Sequence, residues 1–150
     1  LIFAGTMAQK VLALLNPMLS RGYVKARSKV VMGTVRGDLH DLGKNIVAMM
    51  LKPAGFEVID LGVDVSPEKF AQVVKVEKAS VICLSSLLST TRNEMKTVIE
   101  RLRMDKLRNK VKVVVGGGAV SEEFAKEIGA DAYGRDAIEA VSICKRMTGG

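Results

Sequence analysis

The sequence predicts an α/β fold: a doubly wound, five-stranded parallel sheet with helices on both faces. Three observations predict it. From Lys29 onward, short β-branched apolar runs alternate with segments whose apolar residues recur at three- and four-residue intervals. The connections between them are short, which suits crossovers that return each strand parallel to the last. Capping and stop residues stand at the junctions.

Taken in order, the chain opens Leu1-Ile2-Phe3-Ala4 without an initiator methionine and reads as a fragment or processed chain. Val11, Leu12, Leu14, Leu15, Met18 and Leu19 mark an amphipathic helix to about Ser20, bent at Pro17. Arg21 to Ser28, with Gly22 and alternating charge, reads as a linker. Strands are predicted at Val30 to Val35, Glu57 to Leu61, Ser80 to Ser85, Lys112 to Val115 and around Ala132-Tyr133. Helices are predicted near Leu42 to Lys52, Pro67 to Lys78, Arg92 to Met104, Glu122 to Ile128 and Ala137 to Arg146. Gly55 stops the first of these, Ser66-Pro67 starts the second, Ser121 caps the fourth and Asp136 the last. No fixed-period repeat or low-complexity tract interrupts the pattern.

Composition narrows the function classes. A chain of 150 residues, 48% hydrophobic, suffices for one core and is too short for two ordinary domains. The net charge of +7 invites a nucleic-acid reading, but the cations are scattered among few aromatics, so solvated helix faces or an acidic protein partner explain them better. Lys10 and the shortness of the first helix argue against a membrane span, and no basic leader with a cleavage site suggests secretion. Cys83 and Cys144 lie in apolar segments without short-spacing pairing, which reads as reduced core thiols in a cytoplasmic protein.

One stretch organises the chemistry: Asp38-Leu39-His40-Asp41-Leu42-Gly43-Lys44-Asn45, between the first strand and its helix. It holds the only histidine. At the carboxyl end of a strand in an open α/β sheet, that imidazole faces the ligand crevice. Alternatively His40 is a turn residue, with Asp38 or Asp41 acting only as a helix cap. Gly116-Gly117-Gly118 alone would read as a tight strand-to-helix turn, and no Gly-Lys-Ser or Gly-Lys-Thr follows to make it a phosphate loop. Gly33 and Gly37 have the wrong spacing for a dinucleotide fingerprint. Met49-Met50 read as core filler.

Asp38-x-His40-Asp41-x-Gly43-Lys44-Asn45 resembles the corrinoid-binding signature of cobalamin-dependent methyltransferases. In that family a Ser-x-Leu element follows about forty residues after the glycine, and a Gly-Gly pair comes later. Ser85-Ser86-Leu87 and Gly116-Gly117 stand at the matching places, and the resemblance covers Lys29 to Ala140. The chain is thus similar to the cobalamin domain of methionine synthase and to the corrinoid proteins of methylamine and methanol methyltransferases.

The resemblance implies a flavodoxin-like (Rossmann-like) cobalamin-binding domain over residues 29–150. It also implies that residues 1–28 are the C-terminal helix and linker of a helical cap module; a simple helix packed on the sheet is the alternative. His40 would be the axial cobalt ligand, a borderline nitrogen donor that suits the metal. Asp38 would orient it, and Ser85 would hydrogen-bond Asp38 to complete a proton relay. Asp41, Gly43, Leu87, Ser89, Gly116 and Gly117 would serve the cofactor, with Ser89 standing where the family often has threonine. An ordinary turn aspartate and a strand-end serine bonded to backbone are the alternatives for Asp38 and Ser85.

The implied function is a corrinoid carrier that is not a complete enzyme alone. It would bind cobalamin (methylcobalamin or another corrinoid) base-off with His40 on cobalt. It would shuttle a methyl group between two barrel-type methyltransferases, with a reductive activation protein as a further partner and no nucleic acid or membrane involved. The donor would be a methylamine, betaine, methanol or a methoxylated aromatic; the acceptor would be tetrahydrofolate or coenzyme M. Two alternatives are the cobalamin subunit of an adenosylcobalamin-dependent mutase and a non-catalytic cobalamin sensor.

Overall fold

The computed structural model describes residues 28–149. The predicted N-terminal helix and most of the linker lie outside the described residues. The strands are β1 (Lys29–Thr34), β2 (Glu57–Asp60), β3 (Val81–Ser85), β4 (Lys112–Gly116) and β5 (Ala132–Gly134). The helices are α1 (Leu42–Leu51), α2 (Pro67–Glu77), α3 (Glu94–Met104), α4 (Glu122–Ile128) and α5 (Ala137–Met147), with a 3₁₀ turn at Arg108–Lys110. All strand pairings are parallel, in the order β2-β1-β3-β4-β5. This is the flavodoxin-like order, whose direction reverses between β1 and β3; ligands bind outside the strand ends at that point.

Both faces of the sheet are covered, which explains why the strands are apolar on consecutive residues. On one face Val31, Val35, Ile82, Leu84, Val113 and Val115 meet α2, α3 and α4. On the other Val30, Met32, Val81 and Val114 meet α1 and α5, which pack on each other. Gly33 is required by close approach: a Cβ there would lie 2.9 Å from the ring of Phe70, which is fully buried against the strand.

The caps work as the sequence requires. Lys69 N–H donates to Ser66 Oγ at 3.2 Å, Phe124 N–H to Ser121 Oγ at 3.1 Å and Glu139 N–H to Asp136 Oδ1 at 2.8 Å. Helix α1 differs. Asp41 occupies its N-cap position with no side-chain capping bond, and its first turn contains no acid. The end of a helix facing the strand termini is therefore left without internal compensation.

Candidate cofactor site

Four of the five strands end in a row of residues held side by side by the register: Thr34, Ser85, Gly116 and Gly134. Pleating puts this row on the same face as Met32, Cys83 and Val114 beneath it. Between that face and helices α1 and α5 opens a cleft of ≈ 340 Å³. Gly43, Lys44 and Val47 line one wall, Ala137 and Ala140 the other, and Ser85, Gly116 and Gly134 the strand ends. Met32, Cys83 and Val114 line its deeper, apolar part. The space exists because the top row carries two glycines and a serine where larger side chains would fill it.

Leu87, a lining residue, connects the cleft to the loop after β1 through its N–H bond to Asp38. Asp38 is fully buried, and three groups that position His40 converge on its surroundings. His40 N–H donates to Asp38 Oδ1 at 3.0 Å, and its ring Nδ1 lies 2.7 Å from the same oxygen. The Thr34 hydroxyl donates to the His40 carbonyl at 2.8 Å. The imidazole itself is half exposed. An Nδ1–H donated to the carboxylate leaves Nε2 with its lone pair, the tautomer a metal ligand needs.

The other carboxylate oxygen is equally occupied. Leu87 N–H donates to Asp38 Oδ2 at 2.8 Å and the Thr91 hydroxyl at 2.9 Å, while Ser86 Oγ lies at 3.5 Å and 2.9 Å from Thr91 Oγ1. Burial pushes the Asp38 pKa up, but the backbone donors Leu87 and His40, the imidazole and Thr91 outweigh it and hold the carboxyl well below the usual carboxylate range. Asp38 is thus a charged acceptor at any physiological pH.

This corrects one expectation. Ser85 does not reach Asp38. It is the last residue of β3 and faces the cleft, so the next residue, Ser86, falls on the opposite side, where it and Thr91 meet the carboxylate. Thr34, Ser86 and Thr91 were not among the residues expected from sequence. Their signal was faint: Thr34 and Ser86 are small hydroxyl residues at strand ends and Thr91 lies in a turn, none with a motif of its own.

The other expected site residues separate into two groups. Gly43, Ser85, Leu87, Gly116 and Gly117 line the cleft. Gly117 has φ +120°, and a Cβ on it would lie 2.0 Å from the Ser86 carbonyl oxygen, so only glycine lets the β4 loop pass the β3 loop. Asp41 is exposed at the start of α1, and Ser89 is exposed in the turn before α3, outside the lining of the cleft. Lys44, buried in the first turn of α1, donates to Asp60 Oδ2 and Asn45 Oδ1, each at 2.7 Å, and so ties α1 to the end of β2. At the cleft floor the Cys83 and Cys144 sulfurs lie 3.9 Å apart. Their contact holds the Cys83 proton and raises its pKa, while it lowers that of Cys144.

A half-exposed imidazole held by a buried carboxylate, beside a cleft at the switch point of a parallel sheet, marks a ligand-binding α/β domain. Residues 28–142 match the family described as B12 binding domain, and the chain belongs to that family. It is 42% identical over 146 residues to a corrinoid protein of Desulfitobacterium hafniense strain Y51, covering 95% of this chain and 68% of that protein. It is 48% identical over 118 residues to the dimethylamine corrinoid protein of Methanosarcina barkeri, covering 79% of this chain and 55% of that one. The methanol:cobalamin methyltransferase complex of Methanosarcina barkeri contains a chain that superposes with a TM-score of 0.79 at 34% identity, covering 84% of this chain and 48% of that chain. The chain thus spans about half to two thirds of the length of these proteins.

Proposed function

We propose that this chain is the cofactor domain of a corrinoid carrier protein, holding cobalamin with its lower base displaced into the cleft and His40 on cobalt. The observation that carries the reading is the fully buried Asp38 locked to the ring of a half-exposed His40, beside a cleft whose lining residue Leu87 donates to the same carboxylate. When bound, the corrinoid supplies a cobalt centre that accepts and gives up a methyl group. The protein's share is positional. Asp38 fixes the tautomer and direction of His40, with Thr34 holding the backbone beside it and Thr91 and Ser86 fixing the carboxylate. Gly43, Ser85, Leu87, Gly116 and Gly117 receive the nucleotide tail, and the apolar depth of the cleft excludes water from its base. Asp41 and Ser89, exposed outside the lining, would meet the cofactor beyond the cleft.

The partners in this reading are two barrel-type methyltransferases, one for the methyl donor and one for tetrahydrofolate or coenzyme M, with a reductive activation protein to rescue oxidised cobalt. The relatives' descriptions support a small methylated amine or alcohol as donor. The reading retains residues 1–28 as the end of a helical cap and linker, residues 29–150 as the cofactor domain, and a cytoplasmic setting. Among the described residues no helix is long and apolar enough to cross a membrane.

Electron paramagnetic resonance tests it. The protein loaded with hydroxocobalamin and reduced to Co(II) should show hyperfine splitting from one histidine nitrogen, absent in His40→Ala. Splitting that survives the substitution, or a spectrum with the benzimidazole nitrogen still on cobalt, overturns the assignment.

A further inference from the structure

The strand that lines the cleft and the helix that walls it carry a pair of thiols that the site chemistry does not use. Cys83 lies in β3 and lines the cleft; Cys144 lies in α5, one helical turn beyond Ala140, and is fully buried. Their sulfurs are 3.9 Å apart, and both cysteines are free. We propose that Cys83 and Cys144 form a redox-modification site that a hydroperoxide entering the empty cleft converts to a disulfide between β3 and α5, and that a bound corrinoid shields. The shielding rests on the reading of the cleft as the cofactor's slot.

The chemistry balances with the peroxide as two-electron oxidant. The Cys83 sulfur attacks one peroxide oxygen: the S–O bond forms, the O–O bond breaks, and the departing hydroxide takes the thiol proton as water. The Cys144 sulfur then attacks the sulfenic sulfur: the S–S bond forms, the S–O bond breaks, and hydroxide leaves with the Cys144 proton as a second water. Two thiols are oxidised and one hydrogen peroxide becomes two waters. Access selects the first step, because Cys83 lines the cleft and Cys144 does not.

Geometry gives the modification a consequence. A disulfide needs its sulfurs about 2.05 Å apart. Closing from 3.9 Å draws the buried Cys144, and α5 with it, toward β3. Ala137 and Ala140 of the same helix wall the cleft, so this movement narrows the room that the tail requires. Oxidation therefore closes the empty protein to its cofactor, and the loaded protein resists oxidation.

The test uses the full chain, unloaded or loaded with hydroxocobalamin, treated with hydrogen peroxide and digested without reductant for mass spectrometry. The unloaded protein should yield a peptide pair joined through Cys83 and Cys144, and the loaded protein at least tenfold less. Corrinoid uptake by the oxidised protein, followed by absorbance, should fall at least tenfold and recover with dithiothreitol. Cys144→Ala should keep its uptake after the same treatment. Free, alkylatable thiols after peroxide, equal cross-linking with and without cobalamin, or equal loss of uptake in Cys144→Ala overturns the proposal. Reduced protein that takes up no cobalamin overturns the carrier reading and the shielding with it, while cross-linking of the unloaded protein still reads the dithiol chemistry alone.

Discussion

Asp38 sits at full burial as an anion because every nearby donor is aimed at it. That arrangement fixes how its removal acts. In Asp38→Asn an amide NH2 would face the Leu87 N–H and the Thr91 hydroxyl, leaving buried donors unsatisfied at about 1–3 kcal/mol. In the proposed binding mode, the loss of its hold on His40 should lower corrinoid affinity by about 10–100-fold. The protonation linkage has a definite sign. A carboxyl whose folded pKa is depressed adds stability that is complete above the ordinary value of about 3.9 and is lost as pH falls from there toward the folded-state value. Urea unfolding between about pH 6 and pH 3 should therefore show a steeper decline in wild type than in Asp38→Asn; parallel curves would refute the account. Thr91→Val should cost about 1–3 kcal/mol in the same assay and Ser85→Ala under about 0.5 kcal/mol. The motif's spacing puts Asp38 and His40 in one loop, where the structure shows them bonded, because spacing along the chain determines which residues occupy a loop. It could not distinguish Ser85 from Ser86 and Thr91. Which hydroxyl faces the carboxylate depends on where β3 stops alternating and how the next turn folds.

At the scale of elements, the helices and strands of the described residues were legible to within a residue or two, because side chains that cap are also side chains that show in sequence. Ser66, Ser121 and Asp136 each accept the bond expected of them. The largest departure is at the start of α3. The sequence predicts helix from Arg92, but Thr91 to Asn93 form turns before Glu94, with Thr91 N–H and Arg92 N–H both donating to the Leu88 carbonyl. That turn brings Thr91 to the site, and no apolar period records it. The 3₁₀ turn at Arg108–Lys110 went unread for a similar reason, since three charged or polar residues carry no periodicity. The contact between the β3 and β4 loops gives a sharper prediction. Gly117→Ala combines a positive φ with a backbone collision at the Ser86 carbonyl, so it should destabilise by about 2–5 kcal/mol and displace the residues around Asp38. Thermal unfolding within about 2 °C of wild type would show that the loops can separate freely.

For the whole molecule, the strand order β2-β1-β3-β4-β5 places β1 and β3, the strands that deliver His40 and its supports, side by side at the reversal of direction. The order could be inferred from the family resemblance, whereas alternation alone does not distinguish it from other doubly wound arrangements. The cleft's depth was not legible at all, being the space left between two helices and a row of small residues from different strands. Because cobalamin would bind only the folded cleft, it should stabilise the fold by mass action, by about 2.7 kcal/mol at a hundredfold excess over its dissociation constant. For a domain of this size that is roughly a 10 °C rise in melting temperature, increasing with cobalamin concentration. A melting temperature independent of cobalamin would show that the ligand does not engage the folded cleft.

The row Thr34, Ser85, Gly116 and Gly134 has a consequence for biogenesis. Its members come from four strands far apart in sequence and become neighbours only when every register is correct. A slip of one residue in β4 would turn Gly116 to the other face and present Val115, filling the slot with a branched side chain. Misassembled copies would thus stay colourless, and the red of a bound corrinoid would report, molecule by molecule, that the sheet had been put together in the right order.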